Sequence, residues 1–167
     1  MLIRPEIKSY GRIKYNEDTI YKYHSRFKGW VEKSYIEDEG QYIEKDEKIF
    51  EIYSDELIIA QQDYILSKNL NDEKLIKAPK TKLKLLGVHE KVINEIDKNN
   101  IIFYTVPFYS LKSGFVDKFM IREGSYVEPN KELIKTVNTE TLWLDGYAFE
   151  DDKNLISIGD KVIVKTL

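Results

Sequence analysis

The chain carries one motif twice, and the two copies are held apart by a stretch of different hydrophobic period. Residues 27–53 read FKGWVEKSYIEDEGQYIEKDEKIFEIY, and residues 112–137 read KSGFVDKFMIREGSYVEPNKELIKTV. Gly29 aligns with Gly114, and Gly40 with Gly124 after one residue of slippage. Trp30-Val31-Glu32-Lys33 then faces Phe115-Val116-Asp117-Lys118, and Gln41-Tyr42-Ile43-Glu44 faces Ser125-Tyr126-Val127-Glu128. Ile49-Phe50 falls on Leu133-Ile134. Repetition over about 26 positions points to one supersecondary unit used twice. A unit of this size cannot bury a core by itself. The two copies are therefore expected to pair face to face as a small β-sandwich.

Each copy reads as strand, turn, turn, strand. The aromatic–valine pair after the first glycine starts a short strand. The second glycine follows an acidic cluster and precedes a tyrosine, where a turn needs positive φ or no side chain. The polar tracts Glu44–Lys48 and Glu128–Glu132 make a second turn, which Pro129 and Asn130 strengthen in the second copy. Ile49–Tyr53 and Leu133–Val137 close the units as strands.

Between the copies the apolar residues recur at helical spacing. Ser54 or Asp55 caps a helix running to about Asn69, with Leu57, Ile58, Ala60, Tyr64 and Ile65 as its apolar positions. A second helical stretch spans Asp72 to Leu86; Pro79 should kink or divide it, and Gly87 should stop it. His89 to Lys98 reads as a short amphipathic helix with Val92, Ile93 and Ile96 inward, ended by Asn99-Asn100. Ile101–Val106 is expected to be a strand. The flanks are also β-like, at Ile13, Tyr15 and Ile20–Tyr23 on one side. On the other they include Leu142-Trp143-Leu144, Tyr147-Ala148-Phe149 and Lys161–Lys165 after a turn at Ile158-Gly159-Asp160.

Composition narrows the function classes. Of 167 residues, 29 are acidic and 26 basic, a net charge of −3, which argues against nucleic-acid binding. Charged residues at 33% and hydrophobic ones at 42% suit a folded rather than a disordered chain. No apolar run reaches the roughly 20 residues of a membrane-spanning helix, and Met1–Tyr10 shows no signal-peptide core. The absence of cysteine removes thiol nucleophiles, disulfides and cysteine-ligated metals.

No catalytic, cofactor-binding or metal-ligating residue is assigned. His89 reads as a helix cap, and His24 as a strand residue. Glu37-Asp38-Glu39 and Glu150-Asp151-Asp152 lack calcium-loop spacing and read as solvated turns. Met120 reads as a core residue of the second copy, and Trp30 and Trp143 as core anchors. No phosphate loop, nucleophile elbow or metalloprotease motif occurs.

These segments, in this order, resemble the periplasmic adaptor subunits, or membrane fusion proteins (HlyD-like), of tripartite efflux pumps. The branch they look most like serves heavy-metal pumps of the resistance–nodulation–division class. Its carriers are Gly29-Trp30-Val31 with Gly40-Gln41-Tyr42-Ile43, the run Ser54-Asp55-Glu56-Leu57 with Ala60-Gln61-Gln62-Asp63-Tyr64, and Leu83-Lys84-Leu85-Leu86-Gly87-Val88. Thr141-Leu142-Trp143-Leu144 and Ile158-Gly159-Asp160-Lys161-Val162 resemble the first strands of the family's barrel.

The resemblance implies an α+β, mainly β fold. A lipoyl-like β-sandwich (barrel-sandwich hybrid), residues 27–54 and 101–137, is split by a helical hairpin, 55–100, with a partial β-barrel from 1–26 and 138–167. It implies a non-enzymatic periplasmic adaptor, associated with the inner membrane, that binds an inner-membrane pump and an outer-membrane channel. It also implies self-assembly as a hexameric ring or trimer of dimers. Against the family pattern the hairpin is short and the barrel half-built, so the chain reads as a truncated form. With only Met1 and Met120, it offers almost no soft ligand for copper(I), and no methionine site is carried over. An adaptor for a drug or type I secretion exporter shares this architecture. A lipoyl or biotinyl carrier would need its modifiable lysine on a tight hairpin between the halves, where this chain has its helical insert.

Overall fold

Two glycines decide how the copies meet. A Cβ on Gly29 would lie 2.4 Å from the carbonyl oxygen of Tyr53, and one on Gly114 would lie 2.7 Å from that of Val137. Both positions bring two strands closer than any side chain allows. In the computed structural model, which describes residues 7–70 and 73–165, each glycine opens a strand: β3 (Gly29–Ser34) and, later, β7 (Gly114–Phe119). The order of elements is β1 (Gly11–Tyr15), β2 (Ile20–His24), β3, β4 (Tyr42–Ile43), β5 (Lys48–Tyr53), α1 (Asp55–Asn69), α2 (Glu73–Leu85) and α3 (Glu90–Asn99). β6 (Thr105–Tyr109), β7, β8 (Tyr126–Val127), β9 (Glu132–Val137) and β10 (Leu142–Gly146) follow.

Two four-stranded sheets result, in the orders β2-β9-β7-β4 and β6-β5-β3-β8. The copies exchange their short strands: β4 of the first pairs with β7 of the second, and β8 of the second pairs with β3 of the first. The exchange repeats atom for atom. Gly40 N–H donates to the Val116 carbonyl at 2.7 Å, and Gly124 N–H donates to the Val31 carbonyl at 2.7 Å. Val31 N–H donates to Ser125, and Val116 N–H to Gln41, both at 2.9 Å. Each long strand bulges at the same place, between Val31 and Lys33 and between Val116 and Lys118. The sandwich thus has an internal pseudo-two-fold, which is the physical content of the sequence repeat.

The core is shared. Val31, Phe50, Ile52, Val106 and Val127 from one sheet pack with Ile43, Val116, Leu133 and Ile134 from the other, all buried. Each such side chain contributes about 1.5–3 kcal/mol on burial. The same cluster runs on through Leu57, Ala60 and Tyr64 of α1, Leu83 of α2, and Val92, Ile93 and Ile96 of α3. Pro79 lies inside α2 without ending it. Gly87 turns the chain at φ +86°, as a helix stop should.

Several expectations are corrected. Ile20–His24, assigned with residues 1–26 to the barrel, is sandwich strand β2, hydrogen-bonded to β9. The strand expected at Ile101–Val106 begins only at Thr105, because the preceding residues cross the base of α1. Tyr147–Phe149 and Lys161–Lys165 are not strands; Val162, Ile163 and Val164 stand exposed, and β-branched residues form a strand only when one is there to pair with. Trp30 is 49% exposed, since Val31 beside it points inward and strand neighbours alternate. Trp143 lies on the two-stranded ribbon β1-β10, exposed along β10 on both faces. Met120 falls just past β7 and is 51% exposed, while Ile121 takes the core position.

Candidate functional site

The feature that sets this sandwich apart is the base of its helical insert, and the run Ala60-Gln61-Gln62-Asp63-Tyr64 builds it. Ser54 caps α1: its hydroxyl accepts from Leu57 N–H at 3.4 Å and donates to the Lys28 carbonyl at 2.6 Å. One serine therefore starts the helix and ties it to the residue that precedes β3. Gln61 is fully buried. Its amide nitrogen donates to the Phe103 carbonyl at 2.9 Å and to the Leu57 carbonyl at 3.0 Å, and its amide oxygen accepts from Phe103 N–H at 2.8 Å. The side chain imitates a β-pairing and clamps the outgoing chain to the incoming helix. Ala60 is buried and small where the helices converge.

The run reaches the other two helices as well. Asp63 pairs with Lys82 of α2 at 3.3 Å. Tyr64 donates to the carboxylate of Asp97 on α3 at 3.0 Å. Burial, with the Asp97 carboxylate added, pushes the Tyr64 hydroxyl up to about 12. The same hydrogen bond, opposed by some burial and helped by Lys68, holds Asp97 below the ordinary aspartate range. Lys68 also donates to the Asp97 backbone carbonyl and to the Asn100 side chain. All three helices are thus tied together by one turn and a half of α1.

His89 performs the capping role expected of it, and more. Its Nδ1 accepts from Lys91 N–H at 3.2 Å, so Nε2 carries the proton and donates to Asp46 at 3.1 Å. Asp46 sits at φ +65° in the second turn of copy one, and Asn130 occupies the matching turn of copy two at φ +68°. The histidine therefore fastens α3 to the sandwich. His24 lies on β2 but faces outward, 3.9 Å from Glu132.

The acidic turn Glu37-Asp38-Glu39 has a structural use that its spacing does not reveal. Glu39 accepts from Phe119 N–H at 3.2 Å, and Glu123 accepts from Ser34 N–H at 3.0 Å, another pair related by the pseudo-two-fold. Glu150–Leu155 forms an exposed 3-10 turn. Among the described residues, no group of three or more His, Asp or Glu side chains converges to hold a metal. Among the same residues, no helix is long and apolar enough to cross a membrane. A cleft of about 480 Å³ lies between ribbon and sandwich and is lined by Tyr15, Glu39, Phe115, Asp117 and Thr139. Glu39 is used as above, and Asp117 pairs with Lys135 at 2.7 Å.

The fold has relatives. The CusB barrel-sandwich hybrid domain model matches residues 20–137, which are β2 through β9 with the helices between. The chain belongs to this family. It has the fold and family of a membrane fusion protein of metal efflux, as its motifs imply. Among solved structures, ZneB from Cupriavidus metallidurans superposes with a TM-score of 0.56 at 14% identity, over 88% of this chain and 72% of ZneB. A proposed efflux transporter from Bacteroides eggerthii matches at a TM-score of 0.33 and 15% identity, over 92% of this chain and 53% of that one. The chain thus spans about half the length of the Bacteroides protein. No curated protein matches the chain.

The functional residues hidden from sequence reasoning are Gln61 and the serines Ser25 and Ser110. Both serines are buried, and their hydroxyls donate to carbonyls two residues on, at 2.6 Å to Phe27 and 2.7 Å to Lys112. Gln61 belongs to the run Ala60–Tyr64, but its carboxamide clamp is visible only once Phe103 is folded against it.

Proposed function

We propose that the chain works without catalysis as the periplasmic adaptor of a tripartite efflux system. In this reading it links an inner-membrane pump for heavy-metal cations to an outer-membrane channel. The observation that carries the reading is the clamped insert. At the point where a lipoyl carrier turns tightly and presents a lysine, this chain leaves β5 through the Ser54 cap into a helical unit. Bonds from Gln61 to Phe103 and from His89 to Asp46 hold that unit to the sandwich, and Tyr64 ties α1 to α3 within it. A rigid projection on a β-scaffold transmits position between partners rather than transforming a substrate. α1 has 15 residues, so the projection is about 22 Å long. Its free end, near Asn69, is the part that faces the channel, and the ribbon side faces the inner membrane and the pump. Several copies surround the conduit, as a hexamer or a trimer of dimers. The exported metal is cargo rather than a resident cofactor.

The test is site-specific photocrosslinking in cells, with the reactive residue at Asn69. Adducts to an outer-membrane channel protein are expected. Adducts confined to inner-membrane or soluble proteins would overturn the direction assigned to the hairpin.

A further inference from the structure

The repeat gives the sandwich two equivalent exits. Gly29 admits the Tyr53 carbonyl where the chain enters α1, and Gly114 admits the Val137 carbonyl where it leaves for the ribbon. An aromatic pair stands outside each exit: Trp30 and Tyr126 with ring centroids 4.8 Å apart, and Phe115 and Tyr42 at 5.1 Å. The two corners differ beyond the glycines. At the second, the chain runs on into the ribbon, and two crossing bonds fix its departure. The Thr19 hydroxyl donates to the Asn138 carbonyl at 3.0 Å, and the Asn16 side-chain amide donates to the Thr141 hydroxyl at 3.2 Å. Tyr15, the last residue of β1, thereby forms one wall of the 480 Å³ cleft, and Phe115 of β7 the other. A hollow of about 60 Å³ shares Phe115 and Thr139 with the cleft and extends it to Tyr42 and Glu140.

The lining selects a ligand class by sign, surface and size. Carboxylates of Glu39, Asp117 and Glu140 border the combined space, and no basic residue lines it. Glu39 engages one oxygen with the Phe119 N–H and Asp117 one with Lys135, which leaves each a second oxygen. Among the described residues, the Glu140 carboxylate takes part in no hydrogen bond or ion pair. The space therefore favours a cation. Its walls are aromatic: Tyr15, Tyr42 and Phe115 are each between 37% and 52% exposed. Ring faces attract a cation that sheds its water readily, such as an alkylammonium or a guanidinium. A bare metal ion instead needs several oxygens converging on one point. No such group forms among the described residues. The cleft's volume, about 480 Å³, lies in the range that small organic ligands occupy.

We propose that this cleft is a binding site for an organic cation, an alkylammonium or guanidinium group carried on an apolar body. The charged group sits among Glu140 and the second oxygens of Glu39 and Asp117, and the body lies on the aromatic walls. Such a group comes either from a free small molecule or from an arginine or lysine side chain of a docking protein; both present the same chemistry to the cleft. One wall belongs to the ribbon and the other to the sandwich, so an occupant also fastens the ribbon in place. The site stands on the cleft alone and does not rest on the adaptor reading.

The experiment titrates the isotope-labelled full chain with benzyltrimethylammonium while its amide resonances are followed by NMR. Shifts centred on Gly40, Phe115 and Thr139 are expected, with a dissociation constant on the order of 1 mM. Benzyl alcohol, which is neutral, should bind about fivefold more weakly, and anionic phenylacetate more weakly still. Phe115→Leu and Tyr15→Leu should each weaken cation binding about threefold, as should Glu140→Gln. Glu37→Gln lies on the same acidic turn as Glu39 but outside the lining, and should leave binding unchanged. The amide spectrum of each variant shows whether it is folded. Arginine amide separates the two sources: binding tighter than that of benzyltrimethylammonium assigns the site to a protein side chain, and weaker binding assigns it to a free molecule. Absence of shifts at about 20 mM cation overturns the proposal. So does equal affinity for benzyl alcohol, or unchanged binding in both Phe115→Leu and Tyr15→Leu. Equal shifts around Trp30 and Tyr126, the matching corner beside α1, overturn it as well. None of these outcomes touches the adaptor reading, which Asn69 crosslinking and metal export decide separately.

Discussion

Replacing Gln61 with leucine removes the clamp while keeping side-chain volume close to constant. The leucine leaves the Phe103 N–H and carbonyl without their partners, at 2.8 and 2.9 Å in the native chain. A buried backbone group left unsatisfied costs about 1–3 kcal/mol. Phe103 is half-buried, so water can reach part of what is lost, and the sum comes to about 2–4 kcal/mol. The Leu57 carbonyl adds little, since its helix bond to residue 61 remains. Against a total stability of about 5–15 kcal/mol, this is a large fraction. Urea denaturation should show the loss as a lower midpoint at unchanged slope. Hydrogen exchange at the Phe103 amide should quicken by at least tenfold beyond the global change. Gln62→Leu, one residue on and exposed, is the control and should shift stability by less than about 0.5 kcal/mol. Equal effects at the two positions, or a Gln61→Leu chain within 0.5 kcal/mol of wild type, would refute the clamp.

Three further outcomes follow from the same geometry. Gly29→Ala should destabilise by about 2–3 kcal/mol, because its Cβ meets a strand carbonyl, whereas Gly40→Ala, in open space at φ +90°, should cost about 1–2 kcal/mol; thermal melts distinguish them. Tyr64 is protonated up to about 12 in the fold but only to about 10 when unfolded, so its contribution is present below pH 10 and lost as pH rises towards 12. Tyr64→Phe should therefore lower stability at pH 8 by about 1–2 kcal/mol and close that gap by pH 12, read as urea midpoints across the range. Trp30→Ser should cost only about 1 kcal/mol by urea denaturation, since the ring packs tilted against Tyr126 at 4.8 Å but is half exposed; a core tryptophan would cost about 3–5.

The repeat was legible because both copies need the same backbone events at the same places. Gly29 and Gly114 must admit a carbonyl, and Gly40 and Gly124 must take positive φ. Those demands leave glycine in the sequence. The helices were legible from their apolar period and from Ser54, Gly87 and His89 at their ends. Trp30 and Met120 are not core residues because position along the strand, not residue type, sets burial: Val31 and Ile121 beside them point inward, whereas Trp143 lies on a ribbon strand exposed on both faces. Ile20–His24 went to the wrong sheet because local alternation says that a strand exists, not which strand it pairs with; here the partner, β9, is more than 100 residues away. Gln61 and the acidic residues Glu39 and Glu123 were opaque for the same reason. Each bonds to a backbone group distant in sequence, and a carboxamide or carboxylate carries no local sign of that partner.

The adaptor claim itself is tested most directly by cellular metal content. The chromosomal gene is deleted, the cells are challenged with heavy-metal cations, and retained metal is measured by mass spectrometry. Wild-type protein supplied in trans should return retained metal to the undeleted level. Protein lacking residues 56–99, which keeps the sandwich strands but loses the projection, should leave it as high as in the deletion. Full restoration of export by the hairpin-less protein would contradict the account.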